Sequence, residues 1–229
     1  SPVMLLCEHA GRFVPKSLKT LGLPKAVIDT HRGWDIGAEA LATQVSEKIC
    51  APLIVQRYSR LVIDCNRPPE SSESIPLQSD GVIIPGNKNL SDANILLRRK
   101  AIFDPMNTAL DEVLSMTKKK AVFSIHSFTP TMNGKKRPWN AGFLSRLDIP
   151  TATLLVAAIE AMAPDLNLAL NKPYKIEPGS DWFIPAYAEP RKLAHTLIEV
   201  RNDQLQTLKN ISRWADLISN AITQVVNRL

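Results

Sequence analysis

Two stretches constrain the fold of this chain more than anything else in it: apolar runs that end abruptly in a histidine. Val3-Met4-Leu5-Leu6-Cys7 runs into Glu8-His9-Ala10-Gly11, and Ala121-Val122-Phe123-Ser124-Ile125 runs into His126-Ser127. A strand that is apolar on both faces belongs in the middle of a parallel or mixed sheet covered on both sides. In such open α/β sheets, ligands collect in the crevice at the carboxyl ends of the strands. Each run therefore predicts a central strand that delivers one histidine to that edge. A lone histidine at a strand end often does no more than cap a loop or bond a backbone carbonyl. Two at equivalent strand exits, in a chain with four histidines in all, point to a metal.

A third strand carries a charge where charge is expensive. His195-Thr196-Leu197-Ile198-Glu199-Val200-Arg201 buries Glu199 in an apolar run, which costs free energy unless the carboxylate is paired, metal-bound or shifted in pKa. Arg201, two residues on, shares its strand face, so a Glu199–Arg201 ion pair is the simple explanation. Between these strands the spacing of Leu41, Val45 and Ile49 predicts a helix over residues 39–49. Asp35 falls near its start, where it either caps the first turn or serves the site. Residues 52–56 and 60–65 read as short strands, and the second leads into Asn66-Arg67-Pro68-Pro69. An amide beside a guanidinium fork suits a carboxylate held by two hydrogen bonds; a local pair of Arg67 with Asp64 or Glu70 is the alternative.

Residues 68–89 lack any periodic pattern and predict a long binding loop or lid. A long helix comes next, from Ser91 or Asp92 to Thr117, kinked or divided at Pro105, with Leu96, Leu97, Ile102, Met106, Leu110, Val113 and Leu114 as its core stripe. Residues 139–144 predict a short strand, 150–162 a helix buried through Leu154, Leu155, Ala158 and Ile159, 171–182 a polar wall, and 208–229 a closing helix. A chain of 229 residues is long enough for one large domain, expected to span 1–229. No apolar run approaches the ~20 residues of a membrane helix. The chain opens inside its first expected strand, so a short leading segment is expected ahead of it, and no signal peptide is visible. Cys7, Cys50 and Cys65, an odd number without CxxC spacing, predict buried free thiols and a reducing cytoplasm. The net charge of +6 is spread out, apart from the runs at 118–120 and 135–137, and only 6% of residues are aromatic. That argues against nucleic acid and is compatible with a small anionic substrate.

Cys7-Glu8-His9-Ala10-Gly11, Trp34-Asp35-Ile36-Gly37-Ala38, Arg60-Leu61-Val62-Ile63-Asp64-Cys65-Asn66-Arg67-Pro68, Ser124-Ile125-His126-Ser127 and Ile198-Glu199-Val200-Arg201-Asn202-Asp203 together resemble the N-formylglutamate amidohydrolase family, in order and over nearly the whole chain. Members usually carry Pro-His-Ser-Gly at the first histidine, where this chain has Glu8-His9-Ala10-Gly11, which marks a divergent branch. The resemblance implies a phosphorylase/hydrolase-like α/β three-layer sandwich with a mixed central sheet between helices, similar to the zinc carboxypeptidases. It implies one Zn2+ per chain held by His9, His126 and Asp35, with Glu8 the rival third ligand. By the same analogy Glu199 is the general base, Arg60 polarises the scissile carbonyl, Asn66 and Arg67 hold a substrate carboxylate, and Arg201 is a second clamp. The activity implied is hydrolysis of the amide bond of a small N-acyl, and in the expected case N-formyl, acidic amino acid. The alternatives are a metallo-exopeptidase or other amidase on the same scaffold, or a catalytically silent anion-binding protein.

Overall fold

The computed structural model describes residues 1–116 and 118–229. Its centre is a six-stranded sheet built from β1 (Val3–Cys7), β2 (Leu53–Val55), β3 (Ala121–Phe128), β4 (Ala141–Leu144), β5 (Leu168–Leu170) and β6 (Ala194–Arg201). The spatial order is β2-β1-β3-β6-β4-β5. All pairs are parallel except β6–β4, which is antiparallel, so the sheet is mixed. β1 and β3 are buried at every residue, as expected of central strands covered on both faces.

Alternation along these strands feeds two separate cores. Val3, Leu5, Cys7, Phe123, Ile125, Ile198 and Val200 face one side. Helices α1 (Ala38–Ile49), α4 (Ile149–Met162) and α5 (Leu208–Val226) cover it with Leu41, Val45, Leu155, Ile159, Trp214, Ile218 and Ile222. Met4, Leu6, Val122, Leu144 and Leu197 face the other. There α3 (Asp104–Met116) and the π-helical turn before it (Arg99–Phe103) supply Ile102, Phe103, Met106 and Leu110, irregular chain supplies Leu61 to Ile63, and a second π-helical turn supplies Ile184 beside Phe183. The three layers are those expected.

Several local expectations are corrected. Residues 60–65, buried from Leu61 onward, form turns, not a strand: Val62 N donates to Ser59 O at 2.9 Å, and Asp64 N to Ser74 O at 2.7 Å. Side chains take up the carbonyls that a neighbouring strand would have used, since Arg98 Nη1 donates to Val62 O at 2.9 Å and Asn87 Nδ2 to Leu61 O at 2.8 Å. The long helix is divided ahead of Pro105 into α2 (Asp92–Arg98) and α3 by that π-helical turn, which accommodates the missing proline N–H. Leu96 and Leu97 are exposed rather than core, because they precede the stretch that meets the sheet, and the expected helix end at Thr117 lies outside the described residues. The 68–89 loop contains a two-residue hairpin, Gln78–Ser79 with Val82–Ile83. Cys7 and Cys65 are buried, but Cys50 is exposed at the left-handed end of α1, φ 49°, where the helix meets solvent. Among the described residues, no helix is long and apolar enough to cross a membrane.

One close approach couples the sheet to the irregular chain above it. Gly142, on β4 opposite Glu199, lies so near the 171–175 segment that a Cβ there would collide with the Lys172 carbonyl oxygen. Gly142→Ala is therefore expected to destabilise the protein by about 2–4 kcal/mol and to lower the thermal midpoint by roughly 5–10 °C, read by circular dichroism.

Candidate metal centre and active site

The carboxyl edge of the sheet assembles what the three charged or histidine-bearing strands deliver. β1 and β3 pair in parallel with Leu6 opposite Ser124, so both leave the sheet at the same edge. The rings of His9 and His126 stand edge to face with centroids 4.9 Å apart. β3 and β6 are in register with Glu199 opposite His126, which places both side chains on one face. Asp35 comes from the turn before α1. Gly37, at φ 83°, is the N-cap and no side chain caps the helix, so Asp35 is free of the capping role and its carboxylate turns to the sheet edge. There Oδ2 lies 2.8 Å from His126 Nδ1, 3.6 Å from His9 Nδ1 and 3.3 Å from the Ser127 N–H that donates to it, while Oδ1 accepts from Arg60 Nη2.

His9, Asp35 and His126 are all buried and offer ligand atoms within 4.8 Å of one another. The far sides of the rings are held by carboxylates: His9 Nε2 lies 2.7 Å from Asp64 Oδ1, and His126 Nε2 lies 2.9 Å from Glu8 Oε2, which also accepts from Ser124 Oγ. This is how metal-binding imidazoles are oriented: one nitrogen toward the ion, the other tied to a carboxylate behind it. His9 Nδ1 is buried without a hydrogen-bond partner among the described residues, an atom left over for a ligand. The donor set of two imidazoles and one carboxylate suits zinc. Glu8 thus stands behind His126 and outside the group of three.

The electrostatics follow from burial and neighbours. Burial, with Arg60 nearby, pushes His9 down to about 4 against the pull of Asp64. For His126 burial acts downward, but Glu8 and then Glu199 outweigh it and the pKa is raised. Burial of Asp64 is outweighed by His9, Arg67 and Arg60, which hold its carboxyl well below the usual carboxylate range. Glu199 goes the other way: burial raises its pKa despite His126 and Arg60, and its Oε2 is buried with no hydrogen-bond partner among the described residues.

His9, Asp35, His126 and Glu199 open into a cavity of about 440 Å³ whose wall also includes Arg60, Asn66, Arg67, Tyr174, Lys175 and Asp181. The 171–182 segment does wall the site. Arg67 donates to the Asn66 and Ser180 carbonyls and stands 3.9 Å from Asp181. Asn66 is chiefly a brace: its Oδ1 accepts from the N–H groups of Trp182 and Phe183, each at 3.2 Å. Arg201 is elsewhere. It shares a strand face with Glu199, yet its guanidinium is engaged by Asp203 at 2.8 Å and by the carbonyls of Arg137, Pro138 and Trp139, so neither the ion pair with Glu199 nor the second clamp is assembled. The residue that sequence reasoning overlooked is Asp64, whose signal was its place two residues before Asn66 in a segment leading to the site.

The overall architecture is shared with solved structures, hydrolases among them. A gene product from Agrobacterium tumefaciens is 35% identical with a TM-score of 0.93, covering 99% of this chain and 91% of that one. The N-formylglutamate amidohydrolase from Ralstonia eutropha JMP134 is 14% identical with a TM-score of 0.69, covering 99% and 93%. The CwlD amidase from Clostridioides difficile, solved with the GerS lipoprotein, is 14% identical with a TM-score of 0.53, covering 99% of each chain. No curated protein matches the sequence. The class is that of the amidohydrolases, enzymes that cleave carbon–nitrogen amide bonds with water. Within it, the chain belongs to the N-formylglutamate amidohydrolase family, which its sequence matches over residues 1–205.

Because Asn66 holds two main-chain N–H groups, Asn66→Ala is expected to cost about 1–3 kcal/mol of stability by leaving them unpaired, measured by urea unfolding. A purely substrate-facing Asn66 would leave the midpoint unmoved.

Proposed function

We propose that the protein is a zinc-dependent amidohydrolase that removes the acyl group from a small N-acyl acidic amino acid, with N-formyl as the smallest such group. The observation that carries this reading is the convergence of His9, Asp35 and His126 beside the unpartnered Glu199 Oε2 on one cavity. His9, Asp35 and His126 would hold the metal, with Asp64 and Glu8 fixing the two rings. When bound, zinc supplies Lewis-acid polarisation of the amide carbonyl and makes water a better nucleophile at neutral pH.

The chain's own groups do the rest. Glu199 takes the proton of the attacking water as its oxygen bonds to the carbonyl carbon, and returns that proton to the nitrogen as the C–N bond breaks. A buried carboxylate with a raised pKa suits both halves of that task. Arg60 stabilises the negative charge growing on the carbonyl oxygen. Arg67, with Lys175 on the same wall, holds the carboxylate of the amino acid. Arg201 serves as a strut for the 137–139 segment.

Purified protein is expected to carry about one zinc per chain and to release formate from N-formylglutamate, stopping when a chelator is added. His126→Ala should lose stoichiometric metal by elemental analysis. Glu199→Gln should keep the metal and lose roughly 10²–10⁴-fold in kcat. Asp64→Asn should weaken zinc by about 10–100-fold in a competition titration. A protein that binds no metal under any loading condition would overturn the reading.

A further inference from the structure

A second cavity of about 120 Å³ adjoins the first. The two share Asp35, Arg60, Ser127, Met132 and Tyr174 as a common wall, and beyond it the smaller one is bounded by His31, Arg32, Ser79, Asp80, Phe128 and Thr129. Arg32 is anchored there, with Nη2 3.1 Å from Asp80 Oδ2 and 3.2 Å from Asp80 O. His31 Nε2 approaches the same carboxylate at 3.1 Å. Among the described residues each of these two arginines is paired through Nη2 alone, Arg32 with Asp80 and Arg60 with Asp35, so each guanidinium keeps a further Nη group for a ligand.

The direction of the substrate follows from which groups line which cavity. Glu199, which must reach the leaving nitrogen, and Arg67, which faces the amino acid, line only the larger cavity. Arg60, which faces the carbonyl oxygen, stands on the shared wall. The remaining substituent of the carbonyl carbon, the acyl chain, therefore points into the smaller cavity. Its volume is about four waters' worth, taking ~30 Å³ as the share of each, room for a short chain of heavy atoms. A formyl group has only a hydrogen to put there.

Resting on the amidohydrolase reading above, we infer that the smaller cavity is an acyl-side subsite for a short acyl chain ending in a carboxylate. Arg32 and Arg60 donate to that carboxylate through the guanidinium nitrogens that Asp80 and Asp35 leave unpaired, since charge-assisted donors from two guanidinium groups match a carboxylate better than a neutral acceptor. Its methylene stem lies against Phe128 and Met132. The preferred substrate is then a half-amide of a small dicarboxylic acid with an acidic amino acid, carrying a carboxylate at each end of the scissile bond.

The test compares three amides of glutamate on the zinc-loaded enzyme: N-succinyl, N-butyryl, which is of similar length but apolar at the end, and N-formyl. N-succinylglutamate should exceed both others in kcat/KM by roughly tenfold or more, the scale of one charge-assisted hydrogen bond in a desolvated site. Arg32→Gln should collapse the succinyl-to-butyryl ratio toward one. Arg32→Lys keeps a charge for Asp80 but lacks the second guanidinium nitrogen, so it should lower the ratio in a protein whose folding is protected. Calorimetric binding of succinate against butyrate gives a readout apart from turnover, with the same expected dependence on Arg32. Equal rates for the three amides, a preference for formyl, or a ratio insensitive to both variants would overturn the subsite. If no amide is cleaved, the hydrolase reading fails, and succinate affinity that depends on Arg32 still decides whether the cavity reads a carboxylate.

Discussion

Everything at the site depends on the parallel pairing of β1 with β3 and of β3 with β6. Parallel strands share a carboxyl edge, so His9 and His126 leave the sheet side by side, and the register that sets Glu199 opposite His126 puts acid and imidazole on one face. A slip by one residue would move every side chain of β6 to the other face. That slip is opposed by two cores at once, because Ile198 and Val200 belong to one and Leu197 to the other. The chemistry is therefore positioned by apolar burial on strands that carry little polarity of their own.

The buried charges around it are balanced group by group, with one exception. Glu8, Asp35 and Asp64 each lie against an imidazole nitrogen, and Asp35 accepts from Arg60 besides. Glu199 has neighbours of opposite charge at a distance but no hydrogen-bond partner for Oε2. A carboxylate in such a position is costly, and it is tolerated at sites where a proton must be taken up and given back. Two arginines show a similar surplus. Arg60 and Arg32 each pair on one side, and both line the smaller cavity.

How much of this was legible in the sequence depended on whether strand periodicity or irregular chain placed the residue. His9, His126 and Glu199 stood out because each interrupts or ends an apolar strand, and strand geometry carried them to one edge. Asp35 was ambiguous until Gly37 emerged as the N-cap of α1. Residues 60–65 misled because a short apolar run has no period to separate strand from buried turn, and the deciding partners, Arg98 and Asn87, lie far along the chain. Arg201 was placed on the right face, but a long flexible side chain is aimed by whatever carbonyls come within reach, here those of 137–139. The role of Asp64 required knowing which nitrogen of His9 faces inward, which no spacing reveals.

Gly142 ties the sheet to the wall of the cavity. It sits opposite Glu199 on β4, and residues directly opposite on neighbouring strands project to the same face. Any side chain there would occupy the space above the sheet next to the Glu199 carboxylate. Without one, the backbone at Lys172 comes down against β4, since a Cβ would run into the Lys172 carbonyl oxygen. The chain beyond Lys172 then brings Tyr174 and Lys175 to the cavity wall, where Arg137 fixes the ring by stacking at 4.9 Å and by donating to Tyr174 Oη at 2.9 Å. Tyr174 lines both cavities, so the position of the partition between them is set by the absence of one methyl group on the strand beside Glu199.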